Sequence, residues 1–303
     1  MKILVLGAGA MGGYYGGRLL EAGGDVTFLV RPRRAAQLAE RGLVIKSAAG
    51  DFSAPVRTVT AADAAYDVVL LTCKSYDLDS ALDAISPALG PDSAVLPLLN
   101  GMRHLDVIAA RFGTKRTMAG CAYISTALLP SGEIQHFDRM DNLQFGELDG
   151  TKTARLAALA ELFAKAKTSA TPSATILQAM WDKWMTLAGA GAALTLVRGN
   201  VGDLLDAPTG LDLMRAVFDE CGAVAAAYGF PPSPVVGAMV ASAPQRRGFI
   251  TSMARDLIDG RRTEGEHIVG DLVARAAARN IEVPTLRAAL TNLQVHEARV
   301  KRG

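Results

Sequence analysis

The 303-residue sequence is poor in the residues that build metal or disulfide scaffolds, with three cysteines and four histidines. Cys73, Cys121 and Cys221 stand far apart, which excludes a disulfide framework and a cysteine metal cluster and fits a reduced cytosol. The histidines are equally scattered and show no zinc-ligand spacing, so no metal is expected. No apolar run approaches the ~18 residues of a membrane span, because glycines and charges interrupt the alanine-rich stretches. No charged-then-apolar leader with a small-residue cleavage site is seen, and a cytoplasmic location is expected. Charge of one sign is also lacking: the net charge is +2. The basic clusters at Arg31, Arg33 and Arg34 and at Arg246-Arg247 are too short for a nucleic-acid footprint. With 50% hydrophobic and only 20% charged residues the chain is not disordered, and its length suits two domains.

Glycine is what the chain has in quantity, and its placement near the N-terminus is informative. Ile3 to Leu6 is an apolar run of strand length, and Gly7-Ala8-Gly9-Ala10-Met11-Gly12 follows it in the spacing G-x-G-x-x-G. In that spacing the first glycine makes the tight turn and the second admits a pyrophosphate to the backbone. The third lets helix and strand pack closely. A helix over about Met11 to Ala22, ended by Gly23-Gly24, and a second strand over Val26 to Val30 complete the strand–turn–helix–strand context that the motif needs. The helix would turn its free N–H groups toward the phosphates. An NAD enzyme carries Asp or Glu at the end of the second strand; here the sequence is Arg31-Pro32-Arg33-Arg34. A guanidinium grips a 2′-phosphate where a carboxylate would repel it, so the pattern points to NADPH, with Arg31 leading and Arg33 or Arg34 assisting.

Further strands are expected at Leu43 to Lys46, Val56 to Thr60, Asp67 to Thr72 and Ala94 to Leu98. Met118 to Ala122, Gly132 to His136 and Leu143 to Gly146 read as the last strands of the first domain. Lys74 and Asn100-Gly101 fall where two of these strands end, the edge at which open α/β sheets bind ligands. Lys167 to Ser173 is short and polar and is the expected boundary, beyond which everything reads helical. Helices are expected over Ile176 to Val197, Leu211 to Tyr228, Pro234 to Ala241, Thr251 to Asp259, Glu264 to Asn280 and Pro284 to Arg299. Gly189 and Gly191 inside the first of these each cost about 1 kcal/mol against alanine, so a close helix approach or a ligand is expected there. Lys183 lies in MWDKW; tryptophans on both sides would strip its solvation and favour proton donation near neutral pH.

Taken together, these motifs resemble the ketopantoate reductase (2-dehydropantoate 2-reductase) family over essentially the whole chain. The resemblance is carried by GAGAMG at 7–12, Arg31, Lys74 after DVVLLT, Asn100-Gly101 after VLPLLN, WDK ending at Lys183, and TSMARDLIDGRRTE at 251–264. It implies an α/β N-terminal Rossmann domain, residues 1–170, followed by an all-α substrate and dimerisation domain, residues 171–303, with the site in the cleft between them. It implies NADPH-dependent reduction of ketopantoate to pantoate, a step of pantothenate biosynthesis, and a homodimer. In that family pattern Lys183 matches the proton donor, and Asn100 matches the asparagine between nicotinamide and substrate. Ser252 matches a substrate-contacting serine, and Glu264 a glutamate near the cofactor ribose that organises the site. Lys74 and Ala127 match positions near the cofactor. The chain departs from the family at Leu187, Gly191 and Val201, where asparagines are usual; Arg198 or Asn200 would have to replace their contacts. Reduction of another 2-oxo acid or an imine is therefore the alternative, and a non-catalytic dinucleotide sensor a third reading.

Overall fold

Strand β1 (Lys2–Leu6) sends alternate side chains to opposite faces of a sheet, and this period of two organises the first half of the chain. Ile3 and Val5 join one buried cluster and Leu4 joins the other. In this computed structural model, which describes residues 1–302, the same alternation recurs along the neighbouring strands. After β1 come α1 (Ala10–Glu21), β2 (Asp25–Leu29), α2 (Pro32–Arg41), β3 (Leu43–Lys46), β4 (Phe52–Ala54), β5 (Arg57–Val59) and β6 (Tyr66–Leu71). Then follow α3 (Leu78–Ile85), β7 (Leu89–Pro97), α4 (Arg103–Phe112), β8 (Met118–Leu128), β9 (Ile134–Glu147), α5 (Ala154–Ala164) and β10 (Ala170–Pro172).

Five strands form a sheet in the order β5-β2-β1-β6-β7, and every pairing in it is parallel. Such sheets are covered on both faces, which is why DVVLL reads as an uninterrupted apolar run. One face packs on α3 and Ile108 of α4. The other packs on α1, whose Tyr14, Tyr15 and Leu19 share a core with Leu43, Ile45, Ile134 and Phe145 of a second sheet. That sheet runs β10-β9-β3-β4, with β8 antiparallel to β9. It is mixed, and two of its features differ from the sequence expectation. Gly132 to His136 and Leu143 to Gly146 belong to one long strand, since the polar stretch between them stays paired to β8 at Asn142 and Asp141. The polar segment Lys167 to Ser173 contains β10, which pairs parallel with Leu143–Phe145 and ends in Pro172, a residue that cannot donate to a ladder.

Helices α6 (Ile176–Val197), α7 (Val201–Asp206), α8 (Gly210–Ala227), α9 (Pro234–Ala241) and α10 (Ser252–Ile258) follow. A single π-helical turn at Glu266–Gly270 then runs into α11 (Asp271–Ala278), and α12 (Pro284–Val300) closes the chain. Helix α6 is apolar nearly all round and largely buried, as a central helix must be. The short α7 was not expected from the sequence; an Asn200/Asp203 capping box starts it. The chain divides into two compact units. One comprises Met1–Leu99 and His104–Leu177; the other comprises Asn100–Arg103 with the chain from Gln178 on. The first is the α/β unit with the parallel sheet, and the second is helical, as the fold class required. No helix among the described residues is long and apolar enough to cross a membrane.

Candidate functional site

The glycine motif forms the turn from β1 into α1. Gly7 has φ +92°, a conformation that strains any residue with a Cβ, and its N–H donates to the Leu29 carbonyl at 2.9 Å. Gly9 is the N-cap of α1; a Cβ there would point into open space. Gly12 is the opposite case, because a Cβ there would overlap the Gly7 carbonyl oxygen and the Thr72 hydroxyl. No side chain caps α1 and no acidic residue occupies its first turn. The leading N–H groups and the positive end of the helix dipole therefore suit an anion, and the cradle fits the pyrophosphate of a dinucleotide. Thr72, which the sequence did not single out, donates its hydroxyl to the Leu6 carbonyl at 2.8 Å and braces the turn from β6.

The arginines after β2 divide in role. Arg31 is 83% exposed and reaches only Asp77, at 3.1 Å. A surface pair of this kind is worth at most about 1 kcal/mol, so a phosphate could displace it. Arg33 is also exposed. Arg34 turns inward instead: its Nε donates to the Ala8 carbonyl at 3.0 Å and its Nη1 to Gln37 at 3.3 Å. Burial lowers its pKa. Arg34 thus supports the glycine turn from behind and does not extend outward as the assisting residue of the sequence reading. Lys74 is exposed just beyond β6. On β8, Thr126 contacts the Met11 sulfur at 3.9 Å, and the strand's period of two turns Ala127 to the other face.

In the helical unit, Lys183 is half-buried on α6. The two tryptophans beside it in sequence lie elsewhere on the helix, because each residue turns the chain by about 100° and Trp181 and Trp184 share a face that Lys183 does not. Trp181 stacks on Tyr228 and Phe230 at 5.6 Å, and the Arg275 guanidinium sits 5.5 Å from the Trp184 ring. The indoles therefore hold the helix in its core, on a face other than the lysine's. Trp184 also donates its indole N–H to the Ile268 carbonyl at 2.8 Å.

Glu264 follows a tightly held loop. Arg261 engages Asp256 and Asp259 at 2.9 and 2.7 Å. The Thr263 N–H and hydroxyl both donate to Glu297 on α12, at 2.6 and 2.8 Å. Glu264 is left half-buried at the entry to the π turn. Ser252 is exposed as the first residue of α10, capped by Thr251. The segment Asn100–Arg103 belongs to this same unit, so Asn100, Lys183, Ser252 and Glu264 share one compact body. His267 is buried against that segment: a Cβ on Gly101 would come within 3.1 Å of its Cδ2. No periodicity or spacing in the sequence distinguishes His267, since its partner Gly101 is 166 positions away in sequence.

Two of the positions that depart from the family pattern, Gly191 and Val201, are filled by packing. A Cβ on Gly189 would meet the Phe218 ring of α8 at 3.1 Å, and one on Gly191 would overlap the Met253 methyl of α10. The two glycines of α6 thus accommodate close helix approach. Val201 is buried at the start of α7. Asn200 spends its side-chain oxygen on the Asp203 N–H at 3.0 Å, and Arg198 is exposed at φ 54° just past the end of α6. The Asn200 side-chain oxygen is thus committed to its helix cap.

Comparison with known proteins agrees with this architecture. Residues 3–150 match the family Ketopantoate reductase PanE/ApbA and residues 175–297 match Ketopantoate reductase PanE/ApbA C terminal. The chain belongs to the ketopantoate reductase family. It is 35% identical to the "Uncharacterized oxidoreductase YkpB" of Bacillus subtilis (strain 168), over 98% of this chain and 99% of that one. It is 29% identical to a 2-dehydropantoate 2-reductase of Halobacterium salinarum, over 95% and 96% of the two chains. The crystal structure of a PanE/ApbA family ketopantoate reductase from Ralstonia eutropha JMP134 superposes with a TM-score of 0.89 at 29% identity, covering 99% of this chain and all of that one. The family is one of oxidoreductases.

Proposed function

We propose that the protein uses NADPH to reduce a 2-oxo acid to the 2-hydroxy acid, with ketopantoate as the first candidate substrate. The observation that supports this most is the membership of Asn100 in the unit that holds Lys183, Ser252 and Glu264. Polar residues from three distant parts of the chain are thereby gathered on one body. Bound nicotinamide would supply the hydride. The chain's own residues would do the rest. Lys183 would meet the carbonyl oxygen as negative charge grows there and donate the proton. The Asn100 carboxamide would orient the reacting groups, the Ser252 hydroxyl would contact the substrate, and Glu264 would approach the cofactor ribose. The test is NADPH oxidation with ketopantoate and a panel of other 2-oxo acids; turnover of none would remove the reaction and leave a dinucleotide sensor.

A second reading, a less polar 2-oxo acid, is favoured by Leu187 and by Gly191 beneath the Met253 methyl. The amides that would hold a polar substrate are missing, and a pocket without such partners loses discrimination. The expected result is therefore a modest preference for ketopantoate over more apolar 2-oxo acids in kcat/KM. A strong preference for ketopantoate would show that other residues make the contacts.

Cofactor choice is tested at Arg31. Arg31→Ala is expected to weaken NADPH binding by about 1.5–3 kcal/mol, the worth of a charge-assisted hydrogen bond, and to leave NADH binding little changed. The motive is an exposed guanidinium at the end of β2 with only Asp77 beside it. Equal losses for the two cofactors in a fluorescence titration would assign Arg31 to the surface.

A further inference from the structure

The turn Glu266–Gly270 is π-helical, the only such turn among the described residues. A single π turn closes i→i+5 bonds, is rare, and is frequently found at functional sites. Three contacts hold this one. The Ile268 carbonyl accepts from the indole of Trp184, the residue after Lys183, at 2.8 Å. The Ile268 N–H donates to the Glu264 carbonyl at 2.9 Å. The third contact is made by His267. Its ring and its carbonyl oxygen both lie against Gly101, which is held at φ +82°, at 3.1 and 3.2 Å from where a Cβ would be. The Asn100 backbone also stands close enough to the ring to act on its titration. One turn therefore ties together the helix of Lys183, the main chain of Glu264 and the main chain of Asn100.

The charge around the ring is mixed. Burial lowers the pKa of His267, and Arg103 acts in the same direction; Glu264, Asp271 and the Asn100 backbone oppose it. The net direction is downward, so the ring is neutral at pH 7 and its N–H is a donor without a buried charge.

We propose that His267 is a positioning residue for the reduction: through the Asn100–Gly101 backbone it fixes where the Asn100 carboxamide stands relative to Lys183 and Glu264. This rests on the reaction proposed above. A buried histidine that merely fills the core would need neither a π turn nor contact with a left-handed glycine adjoining a candidate site residue.

The test compares His267→Phe, which keeps a ring and loses the donor, with His267→Gln, whose amide can replace the Nε2 edge that faces Gly101. His267→Phe is expected to lower kcat about five- to tenfold, the worth of one hydrogen bond, with NADPH affinity unchanged. His267→Gln is expected to recover most of the loss. The side-chain amide resonance of Asn100, followed by 15N NMR without any ligand, should move in the Phe variant and return in the Gln variant. Should His267→Phe fail to fold, Trp184→Phe loosens the same turn from its other end and should move the same resonance. Wild-type kcat in His267→Phe, an equal loss in both variants, or an unmoved Asn100 resonance would overturn the proposal. If the wild-type protein turned over no 2-oxo acid, the reaction would fall, while the resonance would still decide whether His267 positions Asn100.

Discussion

Lys183→Ala is expected to lower kcat by about two to four orders of magnitude, the usual contribution of a general acid or base. Lys183 stands half-buried on α6, on a face that Leu187 continues one turn on. A developing alkoxide needs a proton and a positive charge, and the lysine can bring both. NADPH affinity should hold, since the glycine turn and Arg31 are in the other unit. The melting temperature should also hold to within about 2 °C. The stack of Trp181, Trp184, Tyr228 and Arg275 that packs the helix stays in place in this variant, and a change of about 1 kcal/mol moves a domain's melting temperature by only a few degrees. If the lysine only laid its stem along the helix, kcat would remain near wild type and the damage would appear as lost packing. One variant measured three ways separates these outcomes, and near-normal kcat would leave the proton donor unassigned.

Gly12→Ala is expected to abolish measurable dinucleotide binding and to destabilise the α/β unit by about 1–3 kcal/mol, the range for overpacking a tight interior. The added methyl would overlap the Gly7 carbonyl oxygen and the Thr72 hydroxyl at once. Neither can retreat easily. The Gly7 carbonyl belongs to the turn itself, and Thr72 is bonded to Leu6 at 2.8 Å. The start of α1 must therefore lift away from β1, which moves the N–H groups meant for the phosphates. Gly9→Ala is the control, because its Cβ would enter open space and leave the fold intact. Calorimetry and an NADPH titration distinguish the two: the first variant loses stability and binding, the second only binding. A Gly12→Ala protein of unchanged stability would mean that helix and strand are less closely packed than the geometry requires.

The α/β half of the molecule was largely legible in the chain, because its signals are local. Apolar runs alternating with helical stretches define a parallel sheet, and G-x-G-x-x-G after the first run marks the dinucleotide turn. Those patterns need no knowledge of distant contacts, and Leu43–Lys46 falls where the periodicity places it. Helices α6 and α9 likewise match the expected spans, since long apolar stretches flanked by proline and glycine are strong helix signals. The strand Phe52–Ala54 and helix α7 were missed. Three half-exposed residues make a weak strand pattern, and a six-residue helix depends on the reciprocal cap of Asn200 and Asp203.

What the tertiary structure decided was the company each polar residue keeps. MWDKW suggested a lysine between two tryptophans, but adjacency in sequence is not adjacency on a helix, and the indoles face Tyr228, Phe230 and Arg275. Three neighbouring arginines after β2 look alike as letters. Only the fold separates Arg31 at the surface from Arg34 beneath Ala8. Gly191 reads as a helix defect until Met253 is seen to fill the space beside it. His267 meets Gly101 only because a π turn and a left-handed glycine coincide. By itself the sequence determined the fold class and the dinucleotide turn, since those follow from periodicity and from backbone freedom at named glycines. The partners of Lys183, Arg34, Gly191 and His267 depend on contacts between segments far apart in the chain, and a linear pattern does not carry such contacts.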